Sequence, residues 1–241
     1  MQRIKAYLLK SEEWLQEPYI DKIMELLPRE RYEKARNLKN PKARAQSVLA
    51  YALLAMKLQE DWGTGFMPDI LSGSRGKPYL EDYPDIFFNY SHCSRGILCA
   101  VSACETGADI ETVKPYKEKL AGRVCHPKEL EMLEQIADPD GRAVFFTRIW
   151  TAKESYLKYL GCGIDRELRT IDMSGCRNRS FDAYGAGFAM LEGEGFMASV
   201  CRSEPSVRED GQGLQEGSTD SRISVQEVSD REILSFCSLS F

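Results

Sequence analysis

The sequence predicts a mixed α/β fold, and three observations carry that expectation. Short apolar runs of strand length alternate with longer stretches whose apolar residues recur at helical spacing. Turn signals rich in Gly and Pro separate the two kinds of segment. No apolar stretch approaches the roughly 18 uncharged residues of a membrane span. In order, residues 4–9 read as an opening strand, and residues 18–27 as a helix with Ile20, Ile23, Met24 and Leu27 on one face. Residues 29–44 form a basic stretch carrying Arg31, Lys34 and Arg44, and residues 45–58 a helix stopped by Asp61-Trp62-Gly63. The turn Gly-Ser-Arg-Gly-Lys-Pro at 73–78 precedes strand-like pieces at 86–90, 97–103 and 108–111. Helices are expected at 127–136 and 145–160, the second ended by Gly161-Cys162-Gly163. The C-terminal part reads as strands, with 195–201 the clearest. Residues 203–222 are polar and acidic and read as a long mobile loop, after which 223–241 regains apolar character and returns to the fold. No internal repeat is visible in the sequence.

Composition narrows the function classes. A chain of 241 residues permits one large domain or two small ones. With 43% hydrophobic and 29% charged residues, collagen, coiled coil and wholesale disorder are excluded. The net charge of −5 argues against a nucleic-acid binder. The eight cysteines include no Cys-x-x-Cys pair and there are two histidines, so a zinc site is not expected. The N-terminal residues lack the apolar core of a signal peptide, and several cysteines sit in apolar runs as small hydrophobes. Reduced thiols in a cytoplasm, with no membrane and no nucleic-acid partner, are the expectation.

The residues that could carry chemistry fall into four groups. Asp109 and Glu111 are two apart, so on a strand both carboxylates share one face while Ile110 points into the core. Such a pair is either an exposed polar face or a seat for a hard cation such as magnesium. Glu154 and Lys158 are i and i+4 on a helix: a surface ion pair, or a third carboxylate with a phosphate-binding lysine beside it. Ser91-His92 at a strand end offers a hydroxyl and an imidazole. The two point to opposite faces of the strand, which disfavours a Ser-His nucleophile pair. Lys77 in its Gly-Lys-Pro turn, and Arg31, Lys34 and Arg44 in the basic stretch, are either solvated surface or a phosphate clamp. Neither a Gly-x-x-x-x-Gly-Lys-Ser/Thr loop nor a Gly-x-Gly-x-x-Gly fingerprint is present.

Taken in order, Gly-Lys-Pro, Phe-Asn-x-Ser-His, Gly-x-Asp-Ile-Glu, Trp-Thr-x-Lys-Glu-x-Tyr-x-Lys and Gly-x-Gly resemble the 4′-phosphopantetheinyl transferase superfamily, in its two-half, surfactin-synthetase-activating form. The resemblance covers residues 1–202 and is strongest from Gly76 to Ile164. It implies two similar α/β halves related by a pseudo-twofold, 1–105 and 106–241, with coenzyme A in the cleft between them. It implies magnesium, or manganese in its place, held by Asp109, Glu111 and Glu154. It implies phosphate contacts from Lys77, Ser91, His92 and Lys158, with Arg31, Lys34 and Arg44 matching by pattern. The sequence departs from the family at Ala108, where a larger aliphatic is usual, at Cys125, where an aromatic is typical, and in the acidic 203–222 segment.

The reaction so implied passes a phosphopantetheine arm to a carrier-protein serine and releases adenosine 3′,5′-bisphosphate, with Glu154 accepting the serine proton and Lys158 neutralising the leaving phosphate. A monomer is expected. The rival expectations are a coenzyme A-binding module without transfer, a metal-dependent pyrophosphate hydrolase, and an adaptor whose charges are ordinary surface.

Overall fold

The computed structural model describes residues 4–10, 16–73, 75–163, 167–203 and 223–238. The segment 204–222, expected to be a loop, lies outside the described residues.

The first sheet holds β1 (Ile4–Lys10), β4 (Phe87–Cys93), β5 (Gly96–Ser102) and β10 (Ile223–Val228) in the order β10-β1-β5-β4. The second holds β6 (Thr106–Thr112), β7 (Ser180–Ala183), β8 (Ala186–Gly193) and β9 (Phe196–Ser203) in the order β6-β9-β8-β7. A two-stranded ribbon, β2 (Leu71–Ser72) with β3 (Pro78–Tyr79), brackets the Gly-Lys-Pro turn. The β7–β8 turn puts both Tyr184 and Gly185 at positive φ, the geometry that lets a two-residue loop follow the strand twist.

The second half repeats the order of the first. A strand leads through short helices, α1 (Glu17–Glu25) and α2 (Arg29–Arg36) or α4 (Glu118–Val124) and α5 (Pro127–Glu134), into a 22-residue helix, α3 (Pro41–Trp62) or α6 (Pro139–Leu160), and an antiparallel hairpin follows. Both long helices begin one turn or more before the apolar pattern does. The Asn40 and Asp138 side chains cap the first turns, and Pro41 and Pro139 follow with φ already set for a helix. Both stop at a left-handed glycine, Gly63 and Gly161.

The layers follow from strand alternation. Tyr7, Leu9, Cys99 and Val101 face α3, whose residues from Val48 to Leu58 are almost wholly buried. Ile4, Ala6, Leu8, Leu98 and Ala100 face the other way, against Ala108, Ile110, Ala198 and Val200 of the second sheet. Phe188 and Cys201 face Ile149, Ala152 and Tyr156 of α6. The order is therefore helix, sheet, sheet, helix. Ala108 sits where four alanines let the sheets come together, and Cys125 is fully buried in the second core. All eight cysteines are free thiols, and burial pushes Cys125 and Cys176 to about 12.

The chain then returns to its first half. β10 pairs parallel to β1, and α7 (Asp230–Phe236) buries Ile233 and Leu234 against the first core.

The tightest approach in the molecule that bears on the site is between β6 and α6. A Cβ on Gly107 would overlap the Ser155 carbonyl oxygen and lie 2.5 Å from the Tyr159 nitrogen. Both obstacles are helix backbone and cannot swing aside. Gly107→Ala should therefore destabilise the fold by about 3 kcal/mol, the upper end for overpacking, measured as a lowered denaturant midpoint.

Candidate active site

Three elements converge on one carboxylate. β6 presents Asp109 and Glu111 on the face turned to α6, and Glu154 and Lys158 lie one helical turn apart on α6. β4 brings Ser91 across from the other half. Asp109 is 3% exposed, and its Oδ1 accepts from Lys158 Nζ at 2.6 Å and Ser91 Oγ at 2.9 Å. Lys158 Nζ also donates to Ser91 Oγ at 2.9 Å, closing a triangle. Asp109 Oδ2 and Glu154 Oε1 are buried with no hydrogen-bond partner.

Burial, and then the Asp109 charge, raise the Glu154 carboxyl above the ordinary range; Glu111 adds to this and Lys158 opposes it. Glu111 is raised by burial and by Asp109, against Lys114 and Lys158. Three acids whose charges reach one another, two of them with orphaned oxygens, fit a hard divalent cation by donor chemistry. Among the described residues no three such side chains already stand together as a metal-binding group, and Lys158 is the cation that Asp109 faces.

Beside this cluster opens a cavity of about 410 Å³. Its walls carry Arg31 and Lys34 from α2, Arg75 and Lys77 from the 73–78 turn, and Glu154 and Lys158 from α6. Arg31 lies over the Tyr51 ring at 5.1 Å and donates to the Ser47 carbonyl at 3.4 Å, leaving Nε unpartnered. Lys77 pairs with Glu105 and donates to the Tyr159 carbonyl at 2.6 Å. His92 is solvent-exposed at the end of β4 and outside the cavity wall. Loss of water on the side of the ring turned to the protein, then the Lys158 charge, with Lys34 and Arg31 beyond it, hold its imidazole below the ordinary value.

Arg44 is placed elsewhere. It donates to the Leu38 carbonyl at 3.4 Å and lines a separate groove at the start of α3 with Lys42 and Gln46. Arg75 joins the cavity from the 73–78 turn, where no motif marks it. Lys153 has a structural role that its place in the Trp-Thr-x-Lys-Glu run does not announce. That side chain is 1% exposed, pairs with the fully buried Glu129 at 2.7 Å, and donates to the Val124 and Leu168 carbonyls at 2.8 and 2.9 Å. Glu129 in turn accepts from the His126 and Met173 backbone nitrogens at 2.7 and 2.6 Å. The pair fixes α5 and the 168–173 segment to the helix that carries Glu154. Its only signal in the sequence was a lysine one residue before Glu154.

A family model described as the 4′-phosphopantetheinyl transferase superfamily matches residues 105–205, from the start of β6 through β9. That span contains Asp109, Glu111, Glu154 and Lys158. Over those residues the chain is similar to the 4′-phosphopantetheinyl transferase superfamily. It is similar to a 4′-phosphopantetheinyl transferase of Bacillus subtilis, 41% identical over 93 residues, which cover 39% of this chain and 41% of the relative. It is similar to the transferase HetI of a Nostoc species, 42% identical over 97 residues, 38% of this chain and 40% of the relative. The transferase Sfp of Bacillus subtilis is 28% identical over 167 residues, 68% of this chain and 74% of the relative. The chain thus spans about two-fifths of the first two relatives. The Sfp alignment is longer than the C-terminal half and so reaches into the N-terminal one.

The raised carboxyls have a consequence for stability. Between the ordinary carboxylate value of the unfolded chain and the raised folded value, the native state binds more protons, so stability is lost as pH rises through that window. Removing one charge should recover part of it. Without divalent cations, Glu154→Gln should melt about 2–4 °C above the parent at pH 8, the shift that ~1 kcal/mol produces in a chain of this size, and the gap should close near pH 4.5, as read by calorimetry.

Proposed function

We propose that this chain transfers the 4′-phosphopantetheine arm of coenzyme A to a serine hydroxyl of an acyl or peptidyl carrier protein, releasing adenosine 3′,5′-bisphosphate. The observation that carries the proposal is the Asp109–Ser91–Lys158 triangle, with Glu154 beside it, at the edge of a cationic cavity walled by the family-matched α6 on one side and by α2 and the 73–78 turn on the other. The two halves are taken to divide at 105/106, with 223–238 rejoining the first.

Coenzyme A brings phosphate charge at its pyrophosphate and at its 3′ position. Arg31, Lys34, Lys77 and Lys158 offer several cations around one space of 410 Å³, and charge-assisted bonds to phosphate are among the stronger polar contacts. His92 and Ser91 extend that set at the end of β4. Arg44, in its separate groove, is the least supported of the phosphate contacts. Asp109, Glu111 and Glu154 would hold magnesium or manganese, which supplies neutralisation of the pyrophosphate when bound.

The carrier serine oxygen bonds to the phosphorus on the pantetheine side, and the bond from that phosphorus to the bridging oxygen breaks. Lys158 stabilises the charge left on the departing phosphate. Glu154 takes the serine proton. Its raised carboxyl sits closer to working pH than an ordinary one, which suits a general base.

A second groove, of about 440 Å³, begins at Glu111 and runs between Leu120, Phe146 and Trp150, with Lys114 and Lys117 at its rim. An apolar floor with a basic edge complements a small acidic helical bundle, the expected form of the carrier. Among the described residues no helix is long and apolar enough to cross a membrane. With eight free thiols, a cytoplasmic monomer fits this reading.

The test is the intact mass of an apo carrier protein after incubation with the enzyme, coenzyme A and magnesium. A gain of one phosphopantetheine, lost on chelation, is the expected result. Coenzyme A binding without gain on several unrelated carriers points to a binding module, and coenzyme A consumption without any carrier to a hydrolase. Glu154→Gln should abolish the gain while coenzyme A still binds. Lys114→Glu combined with Lys117→Glu should raise KM for the carrier about fivefold or more and leave KM for coenzyme A unchanged.

A further inference from the structure

Among the described residues, Lys77 is the one cavity lysine whose charge is already answered by an acid that plays no part in the proposed chemistry. Its side chain is 22% exposed and lies along Gly161, where a Cβ would come within 3.0 Å of the lysine Cδ. Its ammonium reaches the Tyr159 carbonyl at the end of α6 and the carboxylate of Glu105. An ammonium has three donors, so one remains for a phosphate in the cavity. Glu105 is 47% exposed and stands between β5 and β6, where one half of the chain passes into the other. Its backbone is fixed, since its carbonyl accepts from the Ser203 nitrogen at 3.1 Å. Packing on Gly161 and the bond to Tyr159 hold Lys77 in place without Glu105. What Glu105 adds is negative charge.

We propose that Glu105 is an affinity-setting residue of the coenzyme A site: its carboxylate offsets the charge of Lys77 and weakens the hold on polyphosphate substrate and on the bisphosphate product alike. The inference rests on the transferase reading above. An interaction that acts equally on ground state and transition state changes KM and leaves the chemical step alone. A site with many cations and no such counter-charge would hold its product longest. Glu105 keeps Lys77 from doing so.

The experiment compares four full-length proteins at low ionic strength with magnesium: the parent, Glu105→Gln, Lys77→Met and the double variant. Coenzyme A and adenosine 3′,5′-bisphosphate binding are measured by calorimetry, and transfer to an apo carrier by mass. Glu105→Gln should bind both ligands roughly two- to fivefold tighter, the range for a partly exposed ion pair, with kcat for transfer changed less than KM. Glu105→Asp, which keeps the charge, should stay near the parent. In the Lys77→Met background the Glu105→Gln change should have no effect, an outcome that a general loss of packing would not give. Unchanged or weaker binding in Glu105→Gln, with the parent binding coenzyme A normally, overturns this inference alone. A parent that binds no coenzyme A overturns the transferase reading and this inference with it.

Discussion

The site depends on how closely α6 lies on β6. Carboxylates on a strand and a carboxylate and lysine on a helix meet only if the two backbones nearly touch, and Gly107 is what permits that. A side chain there would lift the helix off the strand, and the 2.6 Å bond from Lys158 to Asp109 could not span the gap. The Ser155 and Ser199 hydroxyls, 2.8 Å apart, tie the same face of the helix to the next strand. Small residues thus set the distances, and the charged residues two and four positions along inherit them.

A second constraint acts at right angles to the first. Bringing three acids together is unfavourable by itself: burial and the Asp109 charge raise both Glu154 and Glu111, and Glu111 raises Glu154 further. The helix that carries Glu154 must therefore be held by something independent of the site. The Glu129–Lys153 pair does this: all three lysine donors and both glutamate oxygens are used, so the buried charges are satisfied where they stand. Removing either partner would leave the other charged and alone, a loss of about 3–5 kcal/mol. One residue of α6 is thus spent on rigidity and the next on chemistry.

Much of this was legible in the residues. The strand-face argument for Asp109 and Glu111, with Ile110 turned into the core, needs only a period of two, and the i, i+4 relation of Glu154 to Lys158 only the pitch of a helix. What failed was the start of each long helix. The apolar pattern begins at Ala45 and Phe145, but the helices begin at Pro41 and Pro139, because capping by Asn40 and Asp138 outweighs the lack of apolar residues in the first turn. The duplication of architecture was invisible because each half meets different neighbours: Met56 fills a core where Glu154, at the matching place on α6, borders a site. Arg44 and Arg31 were equivalent as members of a basic run. Only the turn between α2 and α3 sends one into the cavity and the other into a separate groove, and a turn's direction is not written in its charges.

The pairing of β1 with β10 sets Ile4 beside Ile223. The second sheet, by contrast, draws all its strands from residues 106–203. During synthesis the order of completion is therefore inverted. The half that leaves the ribosome first waits, its β1 edge open, while the later half gathers every strand it needs, and contacts so distant along the chain are the slowest kind to form.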